Sequence, residues 1–360
     1  MPGVYLSYPF CAQKCTYCNF ASGVFPKELE AQYLEALRRE IVRYEWQWRP
    51  ETVYIGGGTP SRMDSGELRN ILEAIPGRLW REATIEAAPG TLVREKICAW
   101  RDVGINRVSL GVQSFVGREI ARTGRKHSAE IVAQEVALLR AGGIENINID
   151  LIAGLPGQTA ESWRESLDWI ERLRPPHVSV YMLEIDEDSR LGNEVLLNGK
   201  RYGAPDVPAD ELTVALYQSA VERLAALGIV RYEISNFARP GWESKHNLKY
   251  WRLEPYAGFG ADAHSFDGLR RYKNVETAAE YVERETPVIE STAAQPDEKF
   301  FVGLRLSEGV RPDREEWLRY QAPISRFLDE GLLERDRDTL RLTGRGVLLS
   351  NEVFQEFLTT

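Results

Sequence analysis

The feature that most constrains this chain is Cys11-Ala-Gln-Lys-Cys15-Thr-Tyr-Cys18, which puts three of its four cysteines within eight residues. A short loop can curl so that thiolates at this spacing converge on one metal centre. Iron–sulfur clusters are held by cysteine thiolates, and a cubane [4Fe–4S] cluster ordinarily takes four. Here the loop supplies three. Cys98 lies far along the chain, in a stretch (92–103) that reads as a helix. The spacing therefore points to a cluster with one iron left open to something other than protein. A structural zinc site needs four tetrahedral ligands, usually from paired motifs. No second pair exists, and the next histidine downstream is His127. Four cysteines in 360 residues, with no secretory leader in view, do not make a disulfide framework.

Composition narrows the setting. The chain is 43% hydrophobic and 28% charged, enough for one large core and a small appended domain. Its formal net charge of −9 argues against nucleic-acid binding, which runs on cations meeting phosphates. No basic leader with an apolar centre and no run of about 18 apolar residues is visible, so no integral membrane segment is expected. Peripheral association is left open. Clustered free thiols imply a reducing compartment, and the expected location is the cytoplasm.

The rest of the N-terminal half has a rhythm. Strands are expected at 3–8, 52–55, 83–87, 107–112, 146–152 and 177–183. Between them, helical apolar stripes run over 27–47, 65–75, 92–103, 117–123, 128–141 and 159–172. Strand–loop–helix repeated six times predicts a parallel sheet with helices packed outside, closing into a partial barrel. In such barrels chemistry collects at the C-terminal ends of the strands. The cysteine loop, Gly56-Gly57-Gly58, Glu86, Gln113 and Asp150 are all expected at or just beyond such ends. Residues 186–210 read as a long loop, followed by a helix at 209–227 and a strand at 230–234. Residues 236–274 are aromatic and glycine-rich with little periodicity. Helices near 297–304, 313–320 and 322–331, then two short strands, suggest a winged-helix-like end. From Glu290 onward fourteen acids face ten bases, which favours a contact module over a DNA reader. The expected division is 1–185, 186–290 and 291–360.

CxxxCxxC followed by an aromatic residue resembles the radical S-adenosylmethionine (SAM) superfamily. Tyr5-Leu-Ser-Tyr-Pro-Phe-Cys11, Gly56-Gly-Gly-Thr-Pro60 and Asp150-Leu-Ile-Ala-Gly-Leu-Pro156 narrow the resemblance to its oxygen-independent coproporphyrinogen III oxidase-like branch. The resemblance implies an α/β partial (βα)6 barrel and a cluster on Cys11, Cys15 and Cys18. SAM would chelate the open iron, and an electron would split its sulfonium to release a deoxyadenosyl radical. It also implies SAM contacts from Tyr5, Tyr17, Gly57, Gly58, Thr59, Glu86, Gln113, Arg125 and Asp150. From the residues alone, the glycine turn is equally an ordinary βα turn. Tyr17 could merely shield the loop, Glu86 could be a carboxylate paired with an arginine, and Arg125 would pass as a surface charge.

His246-Asn247-Leu-Lys-Tyr250-Trp251 is the second constellation, set among Trp242, Tyr256 and Phe259. Haem iron is commonly held by histidine, and an aromatic wall suits a flat macrocycle. Aromatic clusters are also ordinary core. HNxxYW resembles the mark of the haem-chaperone (HemW-type) members of this branch, where it is implicated in haem binding. His264 is a further candidate with the stronger claim to a structural role. True oxidases of the branch have a further cysteine where this chain has Phe20, and an extension ahead of the first strand. The closer family usually has a histidine at the position of Ser7. The resemblance thus implies haem as cargo, haem-requiring respiratory proteins as acceptors, and an electron donor for the cluster. No catalytic residue is assigned. The alternative is an oxidative decarboxylase of coproporphyrinogen III.

Overall fold

The computed structural model describes residues 2–284, 286–295 and 297–358. Its centre is a run of six parallel strands joined by helices. In chain order these are β1 (Gly3–Tyr8), α1 (Lys27–Arg43), β2 (Thr52–Gly57), α2 (Ser65–Glu73), β3 (Glu82–Ala87) and α3 (Arg94–Asp102). Then come β4 (Arg107–Gln113), α4 (Gly117–Arg122), α5 (Ala129–Ala141), β5 (Asn146–Ala153), α6 (Ala160–Leu173) and β6 (His177–Met182). Each strand pairs in parallel with the next in sequence.

The strands alternate with a period of two. Val53, Ile55, Ala83, Ile85, Val108, Leu110, Ile147, Ile149, Val178 and Val180 are buried in the apolar core shared with the helices. The intervening residues face the barrel interior and are polar. Tyr54, Glu86, Ser109, Asn148, Asp150, His177 and Ser179 are tied to one another, or to their neighbours, by side-chain hydrogen bonds. The helices begin where the sequence provides caps. Asp64 accepts from the N–H groups of Gly66 and Glu67, and Thr159 and Ser162 form a reciprocal capping box at α6.

Beyond β6 the chain departs from the expected long loop. It forms α7 (Arg190–Leu196) and a 3-10 turn before α8 (Asp210–Ala226). The strand expected at 230–234 is only β7 (Val230–Arg231), and with β8 (Asn236–Ala238) it lies antiparallel at one end of the sheet. The aperiodic stretch after it is structured: α9 (Lys245–Trp251), β9 (Tyr256–Phe259), β10 (His264–Phe266) and β11 (Arg270–Asn274). β9 pairs in parallel with β1 and so becomes a seventh parallel strand on the side where the barrel was expected to end. Four residues buried on both faces carry no alternation to read. α10 (Ala278–Glu283) and β12 (Val288–Ala293) complete the sheet, whose order is β12-β11-β10-β9-β1-β2-β3-β4-β5-β6-β8-β7.

The C-terminal segment has the expected order of three helices and a hairpin. These are α11 (Glu298–Gly303), α12 (Arg314–Arg319), α13 (Gln321–Asp329), β13 (Leu333–Asp336) and β14 (Thr339–Leu342), followed by α14 (Gly344–Leu348) and α15 (Ser350–Gln355). It has its own aromatic centre, with Phe300 stacked on Phe357 at 4.8 Å and Tyr320 alongside. It meets the barrel where the Ser307 N–H donates to the Tyr232 carbonyl (2.9 Å) and Arg305 lies over Trp251. Among the described residues no helix is long and apolar enough to cross a membrane.

Gly258 shows how closely β9 is held, since a Cβ there would run into the His264 carbonyl of β10. Gly258→Ala should cost about 2 kcal/mol or more, as backbone overpacking does. Gly117→Ala, which meets nothing within 4 Å, should change little. Urea unfolding of the two variants checks this.

Candidate cluster and cofactor site

The cysteine loop leaves the C-terminal end of β1 and is held by backbone. The Cys11 N–H donates to the Gly23 carbonyl (2.8 Å), and Thr16 N–H donates to Thr123 beyond α4 (3.1 Å). The glycine turn after β2 grips the same loop. Gly58 N–H donates to the Tyr8 carbonyl (2.7 Å) and Thr59 N–H to that of Phe10 (3.0 Å). A Cβ on Gly58 would lie 2.8 Å from the Phe10 carbonyl oxygen and 2.9 Å from its nitrogen, so only glycine permits this approach. Gly57 sits at φ +110°, and its N–H donates to Glu86 (3.1 Å). The glycines are therefore already required by the way two loops pack, before any ligand is considered.

Cys11, Cys15 and Cys18 are free and half-buried, and all three line one cavity of about 350 Å³ at the C-terminal ends of the strands. Tyr17, Gly57, Gly58, Thr59, Glu86, Gln113, Arg125 and Asp150 share its wall. Eight of the nine residues expected to touch SAM thus converge on the cysteines. The ninth, Tyr5, is not in the wall. It lies lower in the barrel, stacked on Tyr54 at 6.2 Å. Cys98 is exposed on α3 and is not part of the cavity wall. Tyr54, Ser109, Tyr181 and Met182 also line the cavity and were not singled out from sequence. The signal for the first three was the polar alternation along β2, β4 and β6.

Charge in the cavity is strongly constrained. Glu86 accepts from Tyr54 Oη (2.9 Å) and Gly57 N–H. Burial, and then the neighbouring Asp150, push its carboxyl up to about 7. Burial also raises Asp150, against the hydrogen bonds donated to it by Ser179, Asn148 and Ser109. Arg125 donates to the Gly111 carbonyl (2.7 Å) and is flanked by Cys15 and Tyr17. Burial pushes the Cys18 thiol up, so its thiolate needs a nearby cation.

These residues fit a cluster with SAM. Among the described residues, no three His, Cys, Asp or Glu side chains converge as a single metal ion would require. A cubane differs, because each thiolate takes a separate iron corner. Three thiols and no fourth thiol in the wall match that donor set. Gln113 Oε1 and Arg125 Nε are buried in the cavity region without partners, as groups awaiting a polar ligand would be. Gln113 also holds φ +70° at the end of β4.

The HNxxYW segment is elsewhere. His246 is fully buried, beside Thr52 at the N-terminal end of β2 and so at the opposite end of the barrel from the cysteines. Its Nδ1 is bonded to Thr52 Oγ1 (2.9 Å) and its Nε2 to Tyr250 Oη (2.7 Å), and its ring stacks on Tyr54. Burial pulls its pKa down to about 3. Neither nitrogen is open to a metal in this conformation. Asn247 donates its N–H to Ser244 Oγ, Tyr250 packs on Tyr256 at 4.6 Å, and Trp251 lies under Arg305 at 4.4 Å. His264 is exposed on β10.

Comparison with known proteins agrees with this geometry. The radical SAM superfamily profile matches residues 5–170. "Heme chaperone HemW" of Lactococcus lactis is 35% identical over 98% of this chain and 96% of its own length, and that of Escherichia coli is 30% identical over 99% and 97%. The chain belongs to the HemW family of the radical SAM superfamily. Coproporphyrinogen III oxidase (HemN) from E. coli superposes with a TM-score of 0.83, covering 99% of this chain and 90% of that one. At 21% identity that likeness establishes the shared fold, and only the fold. HemW relatives thus match from end to end, including the segments outside the superfamily profile.

Glu86 gives a test in the ligand-free chain. Its folded pKa lies above the ordinary value, so the fold binds its proton more tightly than the unfolded chain does. Its contribution to stability is full below the ordinary carboxylate range and falls as pH rises toward 7. Glu86→Gln should stabilise the ligand-free protein by about 1–3 kcal/mol at pH 8 and lose that advantage by pH 5. Urea titrations at the two pH values measure it.

Proposed function

We propose that the chain is a haem chaperone that holds a [4Fe–4S] cluster on Cys11, Cys15 and Cys18 and binds SAM at the remaining iron. The observation that carries this reading is one cavity in which three free thiols and eight expected SAM contacts meet with no fourth thiol. The end-to-end likeness to HemW relatives supports haem as the cargo. When bound, the cluster supplies an open iron and an electron. The chain's own residues do the rest. The Gly58–Thr59 turn fixes the cysteine loop, Glu86 and Asp150 offer carboxylates to hydroxyl or amino groups, and Arg125 offers a buried cation to a carboxylate. The proposed location is the cytoplasm. The proposed acceptors are haem proteins of the respiratory chain, with an electron donor serving the cluster.

Haem contact through His246, Asn247, Tyr250 and Trp251 requires α9 to leave its seat, because both His246 nitrogens are already bonded. Phe20, which replaces the extra cysteine that marks the oxidases, is 67% exposed beside the cavity.

Cys11→Ser, Cys15→Ser and Cys18→Ser should each lose the cluster from anaerobically reconstituted protein, and Cys98→Ser should keep it. Iron and sulfide analysis with electron paramagnetic resonance reads this, and a cluster retained in Cys15→Ser contradicts the ligand assignment. Reconstituted protein should bind haem in a titration, pass it to an apo-acceptor and leave coproporphyrinogen III unchanged. Vinyl product from that substrate would reverse the reading in favour of an oxidase.

A further inference from the structure

The barrel interior contains a hydrogen-bonded chain that leads from α9 to the cavity. Ser244, the N-cap of α9, donates its backbone N–H to Tyr232 Oη (3.2 Å). Tyr232 Oη meets His177 Nε2 (2.9 Å), His177 Nδ1 meets Asn148 Oδ1 (2.6 Å), and Asn148 Nδ2 meets Asp150 Oδ1 (2.7 Å). His177 and Asn148 are buried, so each polar atom depends on its neighbour in the chain.

Chemistry fixes the direction of every bond. The Asp150 carboxylate accepts, so the amide nitrogen of Asn148 must face it and the amide oxygen must face His177. That oxygen accepts, so His177 carries its proton on Nδ1. Nε2 is then a lone pair and accepts the Tyr232 hydroxyl, whose oxygen accepts from Ser244. All donors therefore point from α9 toward Asp150. The other groups around His177 agree. Burial, and then the neighbouring Arg107, oppose a second proton on the ring. The Ser109 and Ser179 hydroxyls donate onward to Asp150 and Asn236, so their oxygens also accept from the Asn148 amide nitrogen, whose two hydrogens are shared among these oxygens and Asp150. Reversing any one bond would turn the amide oxygen toward Asp150 or leave two donors or two acceptors facing each other.

The far end of the chain is anchored as firmly. Glu82 accepts the N–H groups of Lys245 (3.0 Å) and His246 (2.9 Å), which seats the start of α9 against β3. Tyr232 also lines a polar cleft of about 640 Å³ beside α9, so the relay's outer end lies where a partner or ligand of α9 would act.

We propose that His177 is a positioning residue that couples the seat of α9 to the orientation of Asp150 in the SAM cavity. It rests on the SAM reading of that cavity. Displacing α9 removes the Ser244 N–H from Tyr232, frees the tyrosine hydroxyl to turn, and releases the His177–Asn148 register that aims the amide at Asp150. By reciprocity, filling the cavity at Asp150 tightens the seat of α9.

Two measurements on the full-length, anaerobic, cluster-loaded protein test this. Tyr232→Phe deletes one hydroxyl and keeps the ring; it should weaken SAM binding about five- to tenfold, as loss of one buried hydrogen bond does. Tyr217→Phe removes another buried tyrosine hydroxyl, bonded to Ile234 and outside the relay, and should leave SAM affinity unchanged. The chain has four histidines, so nitrogen-15 histidine labelling resolves them individually. His177 should show the Nδ1–H tautomer, and its signals should move when SAM is added. An Nε2–H tautomer, or signals indifferent to bound SAM, overturns the proposal. So does unchanged SAM affinity in Tyr232→Phe. Protein that takes up no SAM at all removes the cofactor reading itself, a result distinguishable from the others because it appears before any substitution.

Discussion

A buried hydrogen-bonding group that finds no partner costs about 1–3 kcal/mol, and this barrel is lined with such groups. That constraint organises the rest. Serine, asparagine, histidine, tyrosine and carboxylate side chains alternate with apolar ones along β2 to β6, and the polar members bond mainly to one another across strands. A sheet whose inner face is wired in this way cannot slip by one residue, because a slip would exchange polar and apolar faces on that strand. The register that satisfies the interior is also the one that delivers Glu86, Gln113 and Asp150 to the cavity beside the cysteines.

The cysteine loop depends on the same rigidity by a different route. It has few apolar anchors of its own, and backbone N–H groups of Gly58 and Thr59 hold its root. The glycine turn can come that close because it lacks side chains. The family motif and the packing requirement thus coincide in the same residues. A ligand-contacting role for the turn has to share the backbone with this structural one, since Gly57, Gly58 and Thr59 already spend their N–H groups on Glu86, Tyr8 and Phe10.

The HNxxYW helix changes meaning once it is placed. As a string it offers a histidine among aromatics. In the fold His246 is a spacer between Thr52 and Tyr250 and a stacking partner for Tyr54, whose hydroxyl in turn holds Glu86. The helix therefore touches the interior on two lines, one ending at Glu86 and one at Asp150. A segment at the far end of the barrel is connected to the two carboxylates of the cavity, and any movement of α9 would be felt there.

Much of this was legible in the chain itself. Cysteine spacing pointed to three thiol ligands and to one iron corner left open, and the fold brings the three thiols to one cavity. Apolar periodicity gave six strand–helix units, and glycine and proline marked where the rhythm stopped. These are local properties, fixed within a turn or a strand's length by side-chain direction and backbone freedom. The tertiary structure alone decided the seventh parallel strand, the position of Tyr5 below the cavity and the closure of His246. Those depend on pairings such as Thr52 with His246, 194 residues apart, and His177 with Tyr232, 55 apart. No local pattern encodes such a bond, because it exists only when the chain has closed and two buried polar groups have no other partner to choose.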